Sequence, residues 1–160
     1  ARLCYDTLRQ YGRQALEACK VHAVTPALEY VIEANVYLSG VGADNVNCAA
    51  PHSFYNGVTA IGIKHADHGC CVAFGTLVQL VLEGAPKEKF EEVQNFCVEV
   101  GLPITLEEIG VTTTDQVKMI AQKACVPGET IHNLAGDVQP IELYDAIMQA
   151  DAMGKLILGK

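Results

Sequence analysis

Three of the five histidines, His52, His65 and His68, lie within 17 residues of one another. His52 and Asn56 are four apart and His65 and His68 are three apart, so helical segments would set each pair on one face. Two imidazoles from neighbouring helical segments can hold Zn²⁺ or Fe²⁺. A catalytic metal site needs about three protein ligands and an open position, and no third ligand stands out, because Asp67 beside His68 would point elsewhere on a helix. The same spacing suits histidines that are only hydrogen-bonded at the margin of a core. His22 falls at a helix end, where its charge favours the dipole. Asp44, Asn45 and Asn47 read as loop rather than polar lining, and Cys70 and Cys71 as packing rather than reactive thiols, given the apolar segment after them. No Gly-rich dinucleotide fingerprint, phosphate loop or nucleophile elbow is present.

The elements that would position these residues are helical throughout. Cys4, Leu8, Tyr11, Ala15 and Cys19 mark one face of a first helix. Thr25-Pro26 reads as N-cap and first residue of a second, with Leu28, Val31, Ile32 and Asn35 on one stripe and Gly40 and Gly42 as its end. Residues 43–66 carry no clean amphipathic pattern. From Cys71 to Leu82 the chain is apolar on nearly every side, as in a buried central helix. Gly84 stops it and Pro86 opens the next, with Phe90, Val93, Cys97 and Val100 on its inner face. Thr105 with Glu108, and Thr113 with Gln116, have the spacing of capping boxes. Pro127-Gly128 breaks the chain, and Pro140 opens a last helix that faces inward with Leu143, Ala146, Ile147, Ala150 and Ile157. The expected architecture is an all-α bundle of about six to eight helices in one domain, residues 1–160.

Composition narrows the function classes. Half of the 160 residues are apolar and 19% are charged, which supports a packed core and excludes disorder. The net charge of −8 repels phosphate backbones, so no nucleic-acid partner is expected. No run reaches the ~20 apolar residues of a membrane span. Seven cysteines without a C-x-x-C pair read as reduced, small core residues, Cys19, Cys97 and Cys125 among them, in a cytoplasmic protein. The chain opens at Ala1 without Met and inside a helical pattern, so a processed chain or a segment of a longer one is expected.

Several long strings, in order, resemble one family. EYVIEANVYLSGVG, AAPHSFYNGVTAI, HADHGCCVAFGTLVQLVLEGAP, GLPITLEEIGV, GETIHN and YDAIMQADAMGKLI are similar to the C-terminal half of the glycerol dehydrogenases, within the iron-containing-type alcohol dehydrogenases. The resemblance spans essentially the whole chain. It implies an all-helical domain that follows a nucleotide-binding domain carrying NAD, with the active site between the two. It implies a Zn²⁺ held by one Asp and two His. The family's A-H-x-x-H-N-G string puts the first of those His on His52, and its H-x-x-H-G string puts the second on His68. The Asp lies in a motif upstream of the segment that resembles Ala1 onward, as does the NAD domain.

Three departures stand out: Tyr55 replaces the second His of A-H-x-x-H-N-G, Cys70 replaces a Glu, and the stretch between the ligand histidines is one residue shorter. Asn56 and His65 are then groups beside the ligands or on the substrate side. The implied reaction takes glycerol, a small polyol, to dihydroxyacetone with hydride passing to NAD. The implied assembly is a homo-oligomer. A free-standing, redox-inactive descendant acting as an assembly or binding module is the other reading, and the 160 residues alone are expected to be inactive.

Overall fold

The computed structural model describes residues 2–63 and 67–159. Among them there are eight α-helical segments and no strand, in agreement with the all-α expectation. Their contacts divide the chain into two compact units, residues 1–47 and 48–160.

The first unit holds α1 (Arg2–Lys20), α2 (Pro26–Glu33), a π turn (Ala34–Leu38) and α3 (Ser39–Val46). Thr25 caps α2 as the sequence predicts: its hydroxyl accepts the Leu28 N–H at 3.4 Å, and Pro26 fills the first turn. The residues buried between α1 and α2 are small, Ala15, Ala18 and Ala27, so the helices meet closely, and the rings of Tyr11 and Tyr30 stack at 4.9 Å. Cys19 is exposed, which corrects its reading as a core residue. Gly40 and Gly42 do not end the second helix. The helical path runs on through the π turn to Val46 and stops at Asn47, whose φ is +59°. A glycine costs only about 1 kcal/mol inside a helix, too little to end one by itself.

The second unit holds α4 (Ala50–Ala60), α5 (His68–Leu82), α6 (Lys87–Val100), α7 (Thr114–Ala124) and α8 (Pro140–Leu158), with 3₁₀ turns at Glu107–Ile109 and Thr130–Asn133. α4 fills much of the stretch without an amphipathic pattern. The reason is that it is covered on more than one side. Gly57 lies against the Ile120 carbonyl of α7, where a Cβ would sit 2.7 Å from the oxygen, and Gly75 of α5 lies against Pro51, where a Cβ would sit 2.8 Å from Cα. A helix pressed on two faces shows no single apolar stripe.

α5 is central, as its composition implies, but not uniformly buried. Cys71, Phe74, Leu77 and Val78 are fully buried, while Val72, Leu80, Val81 and Leu82 are half-buried. α6 turns its predicted face inward, with Phe90, Val93 and Cys97 buried.

The capping signals resolve differently. Thr113 and Gln116 form a complete box at the start of α7. Glu108 instead accepts the Ile104 and Thr105 N–H groups and the Thr105 hydroxyl, at 2.7–3.0 Å, so Thr105 donates there rather than capping. This segment is tied to α8 by Asp151, which is 3% exposed. Its carboxylate accepts the Leu106 N–H at 2.9 Å and pairs with Lys155 at 2.6 Å. α8 buries Leu143, Ala146, Ile147 and Ala150, but Ile157 is 46% exposed near the helix end. Among the described residues no helix is long and apolar enough to cross a membrane.

Two substitutions test this packing. Gly75→Ala would force α5 off α4, and overpacking of this kind costs roughly 1–3 kcal/mol. A chain of this size then loses ~2–4 °C in Tm per kcal/mol, readable by thermal denaturation. Leu77→Asp places an unpaired charge in the centre of the unit and should abolish the helical circular dichroism of the second unit at room temperature.

Candidate metal centre

α4 carries His52, Tyr55 and Asn56, and it is held in place by a strap of backbone from the 129–133 segment. Ser53, fully buried, accepts the Ile131 N–H at 2.6 Å and lies 3.0 Å from the Thr130 hydroxyl. Thr130 donates to the Ala49 carbonyl at 2.9 Å, and Asn133 donates to that of Cys48 at 2.7 Å. Asn56 donates to the Glu129 carboxylate at 2.9 Å. The GETIHN string therefore acts as the brace of α4, a role for which its composition gave no signal. Asn56, a candidate for a place beside the ligands or on the substrate side, spends its amide on that brace. His132, in the same string, faces the Val126 carbonyl at 3.2 Å.

α5 begins at His68. Its N-cap, Asp67, accepts the Gly69 N–H at 2.9 Å and so fixes the backbone of the first turn. The structure brings His52 and His68 together. Their ring centroids are 5.4 Å apart with the planes at 59°. Two imidazoles on one tetrahedral Zn²⁺, with Zn–N bonds near 2.0–2.1 Å, put their ring centres about 5 Å apart, so this pair has the right separation to share an ion. Tyr55 stands closer still to His68, with centroids at 4.4 Å and planes at 84°. Neither imidazole ring is hydrogen-bonded to a described residue. His65, the remaining candidate, lies outside the described residues. Among the described residues no three His, Cys, Asp or Glu side chains gather as a complete metal set.

Burial holds the pKa of His52 below its ordinary value, and the neighbouring His68 pushes it the same way. The neutral, ligand-competent imidazole is thereby favoured. Cys70 and Cys71 do not offer a thiolate. Burial, aided by the Asp67 charge, raises Cys70, and burial with Cys70 and Asp67 beside it pushes Cys71 up to about 11. Burial and the carboxylates of Asp137 and Glu142 push Cys125 up to about 11 as well. All three are poor nucleophiles at neutral pH.

The relatives now bear on this geometry. The chain is 48% identical to a glycerol dehydrogenase of Pseudomonas putida over 161 residues and 50% identical to one of Escherichia coli, covering 99% of this chain and 44% of each relative. The chain is homologous to the C-terminal part of the glycerol dehydrogenases. A glycolaldehyde reductase of Halobacterium salinarum is 47% identical over 160 residues, 98% of this chain and 44% of that relative. Among solved structures, a probable glycerol dehydrogenase from Sinorhizobium meliloti superposes with a TM-score of 0.94 at 35% identity, over 98% of this chain and 45% of that one. The glycerol dehydrogenase of Schizosaccharomyces pombe gives 0.93 at 38%, over 99% and 43%. No family model matches the chain. The chain spans less than half the length of these glycerol dehydrogenases.

Two measurements probe the site's supports. Ser53→Ala leaves the buried Ile131 N–H without its acceptor, which should cost about 1–3 kcal/mol in denaturant unfolding. Because the folded His52 binds a proton less readily than the unfolded one, its neutral form contributes stability at and above the ordinary His value of 6.5 that is lost as pH falls below it. His52→Gln should flatten the decline in stability measured by urea titration from pH 7 to 5.

Proposed function

We propose that this chain is the metal-holding helical part of an NAD-dependent polyol dehydrogenase, which oxidises glycerol to dihydroxyacetone. The observation that carries the reading is the pairing of His52 with His68 at a separation one ion can bridge, in a chain homologous to the glycerol dehydrogenases. The imidazole pair fits Zn²⁺, a borderline ion that accepts nitrogen donors. When bound, such an ion is a Lewis acid that lowers the pKa of a hydroxyl beside it.

The chain's own residues hold and orient. His52 stays neutral at physiological pH, so its lone pair is available. Asp67 fixes the turn that carries His68, and the strap of residues 129–133 fixes the helix that carries His52. An upstream Asp motif is to supply a carboxylate ligand, and a nucleotide-binding domain the nicotinamide, as the resemblance implies. The H. salinarum relative, named for glycolaldehyde, makes a small α-hydroxy carbonyl the second substrate candidate.

Titration of the 160-residue chain with Zn²⁺ by calorimetry should give weak 1:1 binding. His52→Ala or His68→Ala should remove it, and His132→Ala should leave it intact. The same chain mixed with glycerol, NAD and Zn²⁺ should produce no NADH by absorbance. A protein that joins the chain to a nucleotide-binding domain and the upstream Asp motif should turn over glycerol and lose activity with either His52→Ala or His68→Ala. Equal activity of those variants and the parent would overturn the assignment.

A further inference from the structure

Tyr55 is not explained by the brace of α4 or by the pair of histidines. Its side chain is half-buried, and its hydroxyl is bonded to no described residue. Its ring nevertheless approaches His68 more closely than the His52 ring does, 4.4 Å against 5.4 Å, and it meets the imidazole plane at 84°. Edge-on contact of this kind is a preferred arrangement of two aromatic rings.

A histidine that ligates a metal normally has its second ring nitrogen held by a carboxylate or a carbonyl, which sets the ring's orientation. His68 has no such partner among the described residues, and it is exposed at the first position of its helix. Tyr55 projects from a rigid platform by contrast. Phe54 beside it is fully buried, Ser53 is hydrogen-bonded to the strap, and Gly57 is pressed against α7.

We infer that Tyr55 is a positioning residue, whose ring, standing edge-on to His68, sets the imidazole orientation that a carboxylate or carbonyl would otherwise set. The inference rests on the reading of His52 and His68 as a metal pair. It assigns the work to the aromatic ring and none to the hydroxyl. A residue that only filled the gap between α4 and α5 would affect stability but not the direction in which His68 presents its nitrogens.

The test uses the 160-residue chain with imidazole nitrogens observed by ¹⁵N–¹H NMR, together with Zn²⁺ titration. In the parent protein, Overhauser contacts should join the Tyr55 and His68 rings. Tyr55→Phe should keep those contacts, the His68 ring resonances and the Zn²⁺ affinity. Tyr55→Leu, checked for folding by circular dichroism, should move the His68 resonances and weaken Zn²⁺ binding by about tenfold. A folded Tyr55→Leu with unmoved His68 resonances and unchanged affinity would overturn the inference, as would an effect of Tyr55→Phe as large as that of Tyr55→Leu. If Tyr55→Leu fails to fold, absence of the ring-to-ring Overhauser contacts in the parent overturns it and their presence supports it. If the parent takes up no Zn²⁺, the metal reading fails by itself, while the imidazole resonances still decide whether Tyr55 orients His68.

Discussion

Pro51 of α4 and Gly75 of α5 touch backbone to backbone, and most of what the second unit does depends on that contact. Any side chain at position 75 would stand where Pro51 already is. Because Gly75 meets Pro51 and His68 meets Tyr55, the two helices run in opposite directions along each other. The Phe54 and Phe74 rings, 5.5 Å apart, fill the space beside the contact with apolar volume that tolerates neither a gap nor an added methyl group. With α5 seated this closely, the first turn of α5 is carried back over α4, and the two histidines meet although 15 residues separate them in the chain.

The polar network on the other side of α4 serves the same end by different means. α4 has no capping side chain at its start, and the carbonyl of its N-cap Ala49 accepts the Thr130 hydroxyl together with the His52 and Ser53 N–H groups. Ser53 then takes up a buried backbone N–H that would be costly to leave unpaired. Close packing without bonds on the α5 side, and bonding on the strap side, leave the helix little freedom to rotate. A rotation of α4 would swing His52 off His68 and at the same time drive Gly57 and Phe54 out of their packing.

How much of this was legible depends on whether a signal was local. Thr25-Pro26, Thr113 with Gln116, and Pro140 set helix starts through bonds within four residues, and the structure has them in place. The apolar run of α5 was legible because burial leaves a mark on composition. α4 was not, since a helix covered on two faces has no single stripe to detect. Gly40 and Gly42 misled because a helix can absorb an isolated glycine. Ile157 keeps the spacing of α8's inner face but falls beyond the packing neighbours, and periodicity carries no information on where a neighbour ends. The brace formed by residues 129–133 joins positions more than 70 apart and left no pattern at all. The pairing of His52 and His68 was legible from spacing and resemblance together; spacing by itself favoured ordinary hydrogen-bonded histidines.

Tyr55, standing where the resemblance implies a histidine, gains a physical meaning from this arrangement. A histidine in that place would add a third titrating ring beside His52 and His68, and each charged neighbour makes protonation of the others harder. Tyrosine is neutral across the physiological range, so it can lean on His68 without altering the charge of the pair. Burial and the neighbouring His68 are then the influences on the protonation of His52, which takes the downward shift. A neutral, rigid aromatic contact thus secures geometry while leaving the electrostatics of the pair to its own two members.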